Sequence, residues 1–439
     1  MPSFCILSQA RLFGGLGLGE SWGEGDCFLI ANGSYSIRES DLSAMYYSLR
    51  LRSVTIVAIF VAFLLAAAVS IAANSPISSC SGPLKADFST YWIASRWLLY
   101  GGDPFDPTEI KKYADSLGCT LTGPSYILPW LLIALFPLAS LPLDIASVLW
   151  FLLNAWMVAR VAIWSIRSYS SIELSRPVIA LALVASPGVL LCLTFGQFGI
   201  ACLWGMVLAA EFYRRGSRLL PLALIVGSLK PHIGWLYWIL VARLLIQHRK
   251  FGVIIQTALI AATSATFVFL WVPGSYDSWT RVYGSGLSWM GASVATPIRV
   301  FASNAGDSAP IWPVVVIMFL AVTFSTYRLW RPASRIDLRA ELPWLLALSI
   351  CTSPYVWSLD FCVLLPAEIV ALSSIRPTSE VHHATRLIAP LLVIIARIGL
   401  VVQILVQGGG WRTWWYPPIV LLAFFHHLWC EKSTTKVHE

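Results

Sequence analysis

FGVIIQTALIAATSATFVFLWV, residues 251–272, contains no charged side chain. At about 1.5 Å per residue it makes a helix of roughly 33 Å, long enough to cross the hydrocarbon core of a bilayer. Every backbone N–H and C=O in lipid must be satisfied within the spanning structure, so a run of this kind crosses as a helix. VTIVAIFVAFLLAAAVSIAA, residues 54–73, has the same character. Working outward, further apolar segments lie at 125–141, 143–166, 177–195, 198–213, 219–246, 309–330, 342–358, 359–375, 386–407 and 417–430. Together they predict an all-α, polytopic transmembrane helical bundle of about ten to thirteen spans.

Composition supports this reading and excludes others. The 439-residue chain is 57% hydrophobic and only 12% charged, a balance that a soluble domain could not carry on its surface. The net charge of +8 sits in short clusters between apolar runs, so it reports topology and points to no nucleic acid partner. The nine Cys form no CxxC pair, which removes the usual zinc and thioredoxin-like signatures.

Residues 1–44 are Gly-rich and polar, lack the order of a signal peptide, and are expected to form a poorly structured N-terminal extension. Residues 45–430 then make a single transmembrane domain and 431–439 a cytoplasmic tail. The basic clusters at 50–52, 214–218, 247–250 and 327–335, with Arg386, read as cytoplasmic. Loops 74–123 and 273–308 then face the other side. One conflict arises, because 214–218 and 247–250 cannot both be inside if 219–246 is a plain helix. GSLKPH, residues 227–232, resolves it: Gly227, Lys230 and Pro231 break a helix, and the segment is expected to be a re-entrant or broken hairpin. Residues 125–141, interrupted by Pro, are open to the same reading.

The first outer loop carries the most polar chemistry. In KADFSTYWIASRW, residues 85–97, Phe88, Tyr91, Trp92 and Ser95 fall at helical spacing, which predicts an amphipathic helix lying in the membrane interface. Lys85, Tyr91 and Trp92 would form an interfacial ledge for substrate. Asp87 stands at the start of that helix, where it reads either as an N-cap or as a general base; a capping carboxylate keeps one oxygen free, so the readings are compatible. Asp103 and Asp106 in GGDPFDP read as turn residues, with cation binding as the alternative. Cys80 and Cys119 bracket the loop and could close it as a disulfide.

Farther along, Gln197 sits between two glycines in LTFGQFGI (193–200), either as part of a helix–helix turn or as a sugar or phosphate contact. Lys230 and Arg397 are cations within apolar stretches, where each needs a partner: Asp360 or Glu368 in a structural pair, or a buried phosphate. His232 neighbours Lys230 and joins the candidate donor-binding set. TSPYVWSLDFCVLLP (352–366) breaks two spans with Tyr355 and Asp360 at an outer turn. The adjacent pairs His382/His383 and His426/His427 do not form chelating faces, since neighbours on a helix point about 100° apart. They read as interfacial.

Four segments in order, KADFSTYWIASRWLLYGGDPFDP, SYILPWLLIALFPLASLPLDIASVLW, FGQFGIACLWGMVLAAEFYRRGSRLLPLALIVGSLKPHIGW and TSPYVWSLDFCVLLP, resemble glycosyltransferase family 87. The resemblance implies a GT-C-like membrane enzyme of the inner cell membrane with its active site on the extracytoplasmic side. It implies inverting transfer of a hexose from a polyprenyl-phosphate sugar donor to a lipid or glycan acceptor; mannosyl transfer is an activity of some members. By that resemblance Asp87 matches the catalytic base; the residues themselves make Lys230, Arg397, Gln197, Tyr355, Asp360 and His232 the candidate donor- or phosphate-binding set. Some members carry a His in the segment matching SPYVWSLD, where this chain has Tyr355 and Asp360. No cofactor is expected, and a divalent metal is left open. The remaining partners are membrane lipids. A transporter or flippase of a lipid-linked saccharide is the competing function; it would also need a polar cavity and membrane cations.

Overall fold

The computed structural model describes residues 80, 86–119, 121, 127–169, 186–285, 291–302, 310–330, 336–373, 383–407 and 411–435. The expected extension 1–44, the first span at 54–73, Lys85, and His382 lie outside the described residues. Within them the chain is helical with no strand, an all-α polytopic membrane protein.

The segment expected as the first outer loop contains α1 (Ala86–Leu99) and α2 (Pro107–Ser116). A disulfide joins Cys80 to Cys119, with 4.9 Å between the Cα atoms. Asp106 caps α2 by accepting from the N–H groups of Thr108 (2.7 Å) and Glu109 (3.2 Å), while Asp103 accepts from Phe105 N–H. Both acids do turn and cap work.

Residues 127–141 are not one continuous helix. They form two short helices, α3 (Pro129–Ala134) and α4 (Phe136–Ala139), separated at Leu135 just before Pro137. The long α5 (Leu143–Tyr169) follows. Next come α6 (Pro187–Phe195) and α7 (Gly199–Arg215), bent by 117° at their junction. The hairpin at 219–246 then appears as expected: α8 (Leu220–Gly227), a 3-10 turn at Pro231–Gly234 and α9 (Trp235–Gln247), with a 110° bend. Pro231 opens the 3-10 turn, where its missing N–H costs nothing.

The hairpin lies hard against α7. A Cβ on Gly205 would stand 2.3 Å from the backbone N of Gly227, so only glycine permits this crossing. Both arms return to one end of the bundle. Lys250 stands 4.0 Å above the Tyr213 ring, which also meets the His248 ring, so 214–218 and 247–250 share a side.

α10 (Phe251–Trp271) is a span with almost its whole surface outward. α11 (Ser275–Ser285) and α12 (Ala295–Ala302) lie within 273–308, the expected second outer loop, and are followed by α13 (Trp312–Arg328). The expected spans 342–358 and 359–375 become α14 (Leu338–Thr352), an irregular stretch, a 3-10 turn (Ser358–Leu364) and the short α15 (Leu365–Leu372). α16 (His383–Gln407) and α17 (Tyr416–Thr435) complete the chain.

Among the described residues three helices, α5, α10 and the Leu387–Gln407 part of α16, are long and apolar enough to cross a membrane, or up to five if each bent pair is one span. The expected span at 54–73 and residues 177–185 of the one at 177–195 lie outside the described residues, and Trp312–Arg328 and Tyr416–Cys430 are shorter apolar helices. Pro137, Gly196, Pro231 and Pro354 interrupt apolar runs that the sequence alone shows as continuous.

Polar contacts fix the bundle's polarity. The ends of α5 and α7 meet the start of α14, and α9 is tied to the end of α13: Arg339 bonds Ser168 and approaches Glu211, Tyr169 donates to the Arg339 carbonyl, and Arg243 donates to the Leu329 carbonyl. The opposite ends of α5, α7 and α14 lie about 20 Å or more away, from their lengths.

Candidate functional site

The 117° break between α6 and α7 places Gln197. Gly196 takes φ +71°, a left-handed conformation that glycine adopts without a Cβ penalty, and closes α6 with bonds from Gly196 N–H to the Leu193 carbonyl and from Gln197 N–H to the Cys192 carbonyl. The Trp150 indole donates to the Gly196 carbonyl at 2.8 Å, tying this turn to α5. The Gln197 side chain is buried there.

Its amide is committed at both ends. Nε2 donates to Asp87 Oδ2, and Oε1 accepts from the Tyr91 hydroxyl at 3.0 Å. Asp87 lies inside the first turn of α1, so it is no simple N-cap; its partner lies 110 residues away. Tyr91 follows one helical turn later, its ring edge-on to Phe198 at 4.6 Å between centroids. Burial pushes the Asp87 carboxyl above its ordinary value; the Gln197 hydrogen bond and the Lys230 charge pull it back, and Asp360 pushes it up. Burial likewise pushes the Tyr91 phenol up, so it remains a donor.

Lys230 and Asp360 complete the cluster. The hairpin tip carries Lys230, whose Nζ lies 2.7 Å from Asp360 Oδ1; the carboxylate side chain is 0% and the ammonium side chain 16% exposed. Asp360 Oδ2 accepts from the Trp357 N–H at 3.0 Å, which caps the 3-10 turn. The Trp357 indole donates to the Tyr355 hydroxyl at 2.6 Å, and the Tyr355 ring stands edge-on to His232 at 5.2 Å. His232 Nε2 is buried without a hydrogen-bond partner. The segment before α12 docks nearby, through Ala292 N–H to the Val356 carbonyl and Val294 N–H to the Cys351 carbonyl.

Asp87, Gln197, Lys230, His232, Tyr355 and Asp360 thus come from four separate segments to one place, at the ends of α7 and α14 remote from the basic cluster. Trp357 belongs with them, although no sequence signal singled it out.

Four expectations need correction. Arg397 is not at this site: it pairs with Glu368, which also accepts from the Tyr416 hydroxyl at 2.6 Å, in a buried network joining α15, α16 and α17. Trp92 is no ledge residue, because it is buried and its indole donates to the carbonyls of Leu138 and Leu141. α1 as a whole packs inward on several faces, with Phe88, Ser89, Ile93, Ala94, Ser95 and Leu98 all buried, so it is not an amphipathic helix lying on a membrane surface. The spacing of aromatics identified one buried face and gave no sign of the others. His427, read as interfacial, is also buried.

The arrangement sets a partly buried carboxylate beside a cation and a set of polar side chains, which suits proton removal next to an anionic group. No curated protein and no solved structure matches the chain. The family model for glycosyltransferase family 87 matches residues 129–357, just over half the sequence, covering Gln197, Lys230, His232 and Tyr355 while Asp87 and Asp360 flank it. The protein therefore belongs to glycosyltransferase family 87.

Proposed function

We propose that this glycosyltransferase moves a hexose, in an inverting reaction, from a polyprenyl-phosphate sugar to a hydroxyl of a lipid or glycan acceptor at the extracytoplasmic face. The observation that carries the proposal is the convergence of Asp87, oriented by Gln197, with the Lys230–Asp360 pair. Asp87 takes the acceptor proton as the hydroxyl oxygen attacks the anomeric carbon. The bond from that carbon to the phosphate oxygen breaks, its electron pair leaves with the polyprenyl phosphate, and Lys230 offsets the charge that develops there. In the resting protein Asp360 occupies the cation that the phosphate would engage. His232, with its unpartnered nitrogen, and Tyr355 line the donor side.

Charge distribution supports the extracytoplasmic side. The basic ends of α7 and α9 read as cytoplasmic by the positive-inside rule, and the site lies toward the other ends of those helices. A transporter of lipid-linked saccharide would use the same cations, but family membership favours transfer.

The test compares wild type with Asp87→Asn in nanodiscs supplied with a panel of polyprenyl-phosphate sugars and membrane lipid extract. Wild type is expected to release polyprenyl phosphate and form a glycosylated product; Asp87→Asn is expected to bind donor and turn it over roughly 10²- to 10⁴-fold more slowly, the range for loss of a general base. Full activity in Asp87→Asn would sink the base assignment. Movement of lipid-linked sugar across the bilayer without transfer would sink the enzymatic reading.

A further inference from the structure

The 117° break that presents Gln197 leaves Gly196 in neither helix, with its carbonyl buried and in need of a donor. That donor is the Trp150 indole on α5, 2.8 Å away in a buried hydrogen bond. An indole N–H only donates and a carbonyl only accepts, so this bond forms in one sense alone.

The same ring lies between the neighbours of Asp87 and of Gln197. Trp150 stacks on Phe88, with centroids 5.8 Å apart and planes 13° from parallel, and meets Phe198 at 4.6 Å. Phe88 directly follows Asp87 in α1, and Phe198 directly follows Gln197 at the break. Trp150, Phe88 and Phe198 are 5%, 0% and 1% exposed, so the contacts are closed. α5 runs unbroken over 27 residues, and its far end is held to Arg339 through Ser168 and Tyr169. The indole is therefore carried on a fixed element.

We propose that Trp150 is a positioning residue for the transfer proposed above: its N–H holds the Gly196–Gln197 turn while its ring spaces Phe88 from Phe198, and together these fix where Gln197 meets Asp87. The role depends on Asp87 acting as the base, as read above. Trp150 itself has no contact with the carboxylate among those that hold Asp87, whose hydrogen bond comes from Gln197. Loss of the N–H leaves a buried carbonyl unpartnered at the residue before Gln197, and a small displacement there moves the side chain that orients the base.

The experiment replaces Trp150 with benzothienylalanine, which keeps a fused bicyclic ring and puts sulfur where the N–H was; packing on Phe88 and Phe198 is retained, so the chain folds. Trp150→Phe serves as the second variant. Hydrogen exchange in nanodiscs, followed by mass spectrometry, reads the Gly196 and Gln197 amides, which bond the Leu193 and Cys192 carbonyls in the closed turn. Exchange there is expected to rise roughly 5- to 150-fold, the equivalent of leaving a buried carbonyl unpartnered, while peptides of α9 and α17 stay as in wild type. The kcat for transfer, per folded molecule, should fall by up to about 100-fold at an unchanged donor KM. Placed on Asp87→Asn, the same replacement should cost no further rate, because the group being positioned is gone. A residue with only a structural role would lower the folded yield and leave kcat per folded molecule as it was. Unchanged exchange at the turn overturns the inference, and so does an equal loss of rate on the Asp87→Asn background. Unchanged kcat in the Trp150 variant beside an inactive Asp87→Asn overturns this inference alone, whereas wild-type rate in Asp87→Asn overturns the base reading and this inference with it.

Discussion

Lys230 is asked to do two things, to neutralise Asp360 at rest and to meet a phosphate in the reaction, and a double-mutant cycle separates them. The pair is 2.7 Å apart, with the carboxylate side chain fully buried and the ammonium side chain nearly so. Removing one member of such a pair leaves a buried charge without its counter-ion, which typically costs about 3 to 5 kcal/mol. Lys230→Met would leave Asp360 with the Trp357 N–H as its remaining contact in the cluster, and Asp360→Asn would leave the ammonium facing a neutral amide. Each single variant is therefore expected to unfold at a lower temperature than wild type, read by tryptophan fluorescence in nanodiscs. The double variant removes both charges together, and Asn at 360 can still accept from Trp357, so its stability should recover to within about 1 kcal/mol of wild type. Transfer should not recover. A hydrogen bond from a charged group contributes about 1.5 to 3 kcal/mol, so the double variant should remain roughly 10- to 150-fold down in kcat/KM for donor. Recovery of both stability and transfer in the double variant would show that Lys230 is only structural and would refute its phosphate role.

Asp87 sets the pH behaviour. Its carboxyl is raised by burial, so the folded chain holds this proton more tightly than the unfolded chain does. Stability from this group is present at low pH and is lost as pH rises from about 3.9, the unfolded value, through the folded value. Asp87→Asn should then melt at or above the wild-type temperature at pH 7, and the acid limb of wild-type transfer should lie above the ordinary carboxylate range. Gly205→Ala puts a methyl 2.3 Å from Gly227 N and 2.7 Å from its Cα, backbone atoms that cannot swing aside. The hairpin must move by about 1 Å, at about 1 to 3 kcal/mol, and because Lys230 is three residues from Gly227, donor turnover should fall more steeply than stability in a melting and kinetic comparison. Arg397→Met combined with Glu368→Gln removes the other buried pair without leaving a lone charge; donor KM should be unchanged, and a raised KM would return Arg397 to the donor site.

The amino-acid sequence by itself determined the class of the molecule and much of its local chemistry. Uninterrupted apolar runs leave a chain no alternative to helices in lipid, and GSLKPH marked the hairpin because glycine, proline and a cation together cannot sit in an ordinary span. Asp87, Gln197, Lys230 and Asp360 were each visible as polar residues where polarity is expensive. Their partners were not visible. The sequence left Lys230 and Arg397 as equivalent cations, and tertiary packing separated them: Lys230 pairs with Asp360 at the tip of a bent hairpin beside Asp87, whereas Arg397 is joined to Glu368 and Tyr416 among α15, α16 and α17. The aromatic spacing in α1 was equally silent about the faces that are buried by α4, α5 and α6. Periodicity reports which residues share one face of one helix; which other helix meets that face, and which of two charges receives a given counter-ion, depends on side chains more than a hundred positions away, as the 110-residue separation of Asp87 and Gln197 makes plain.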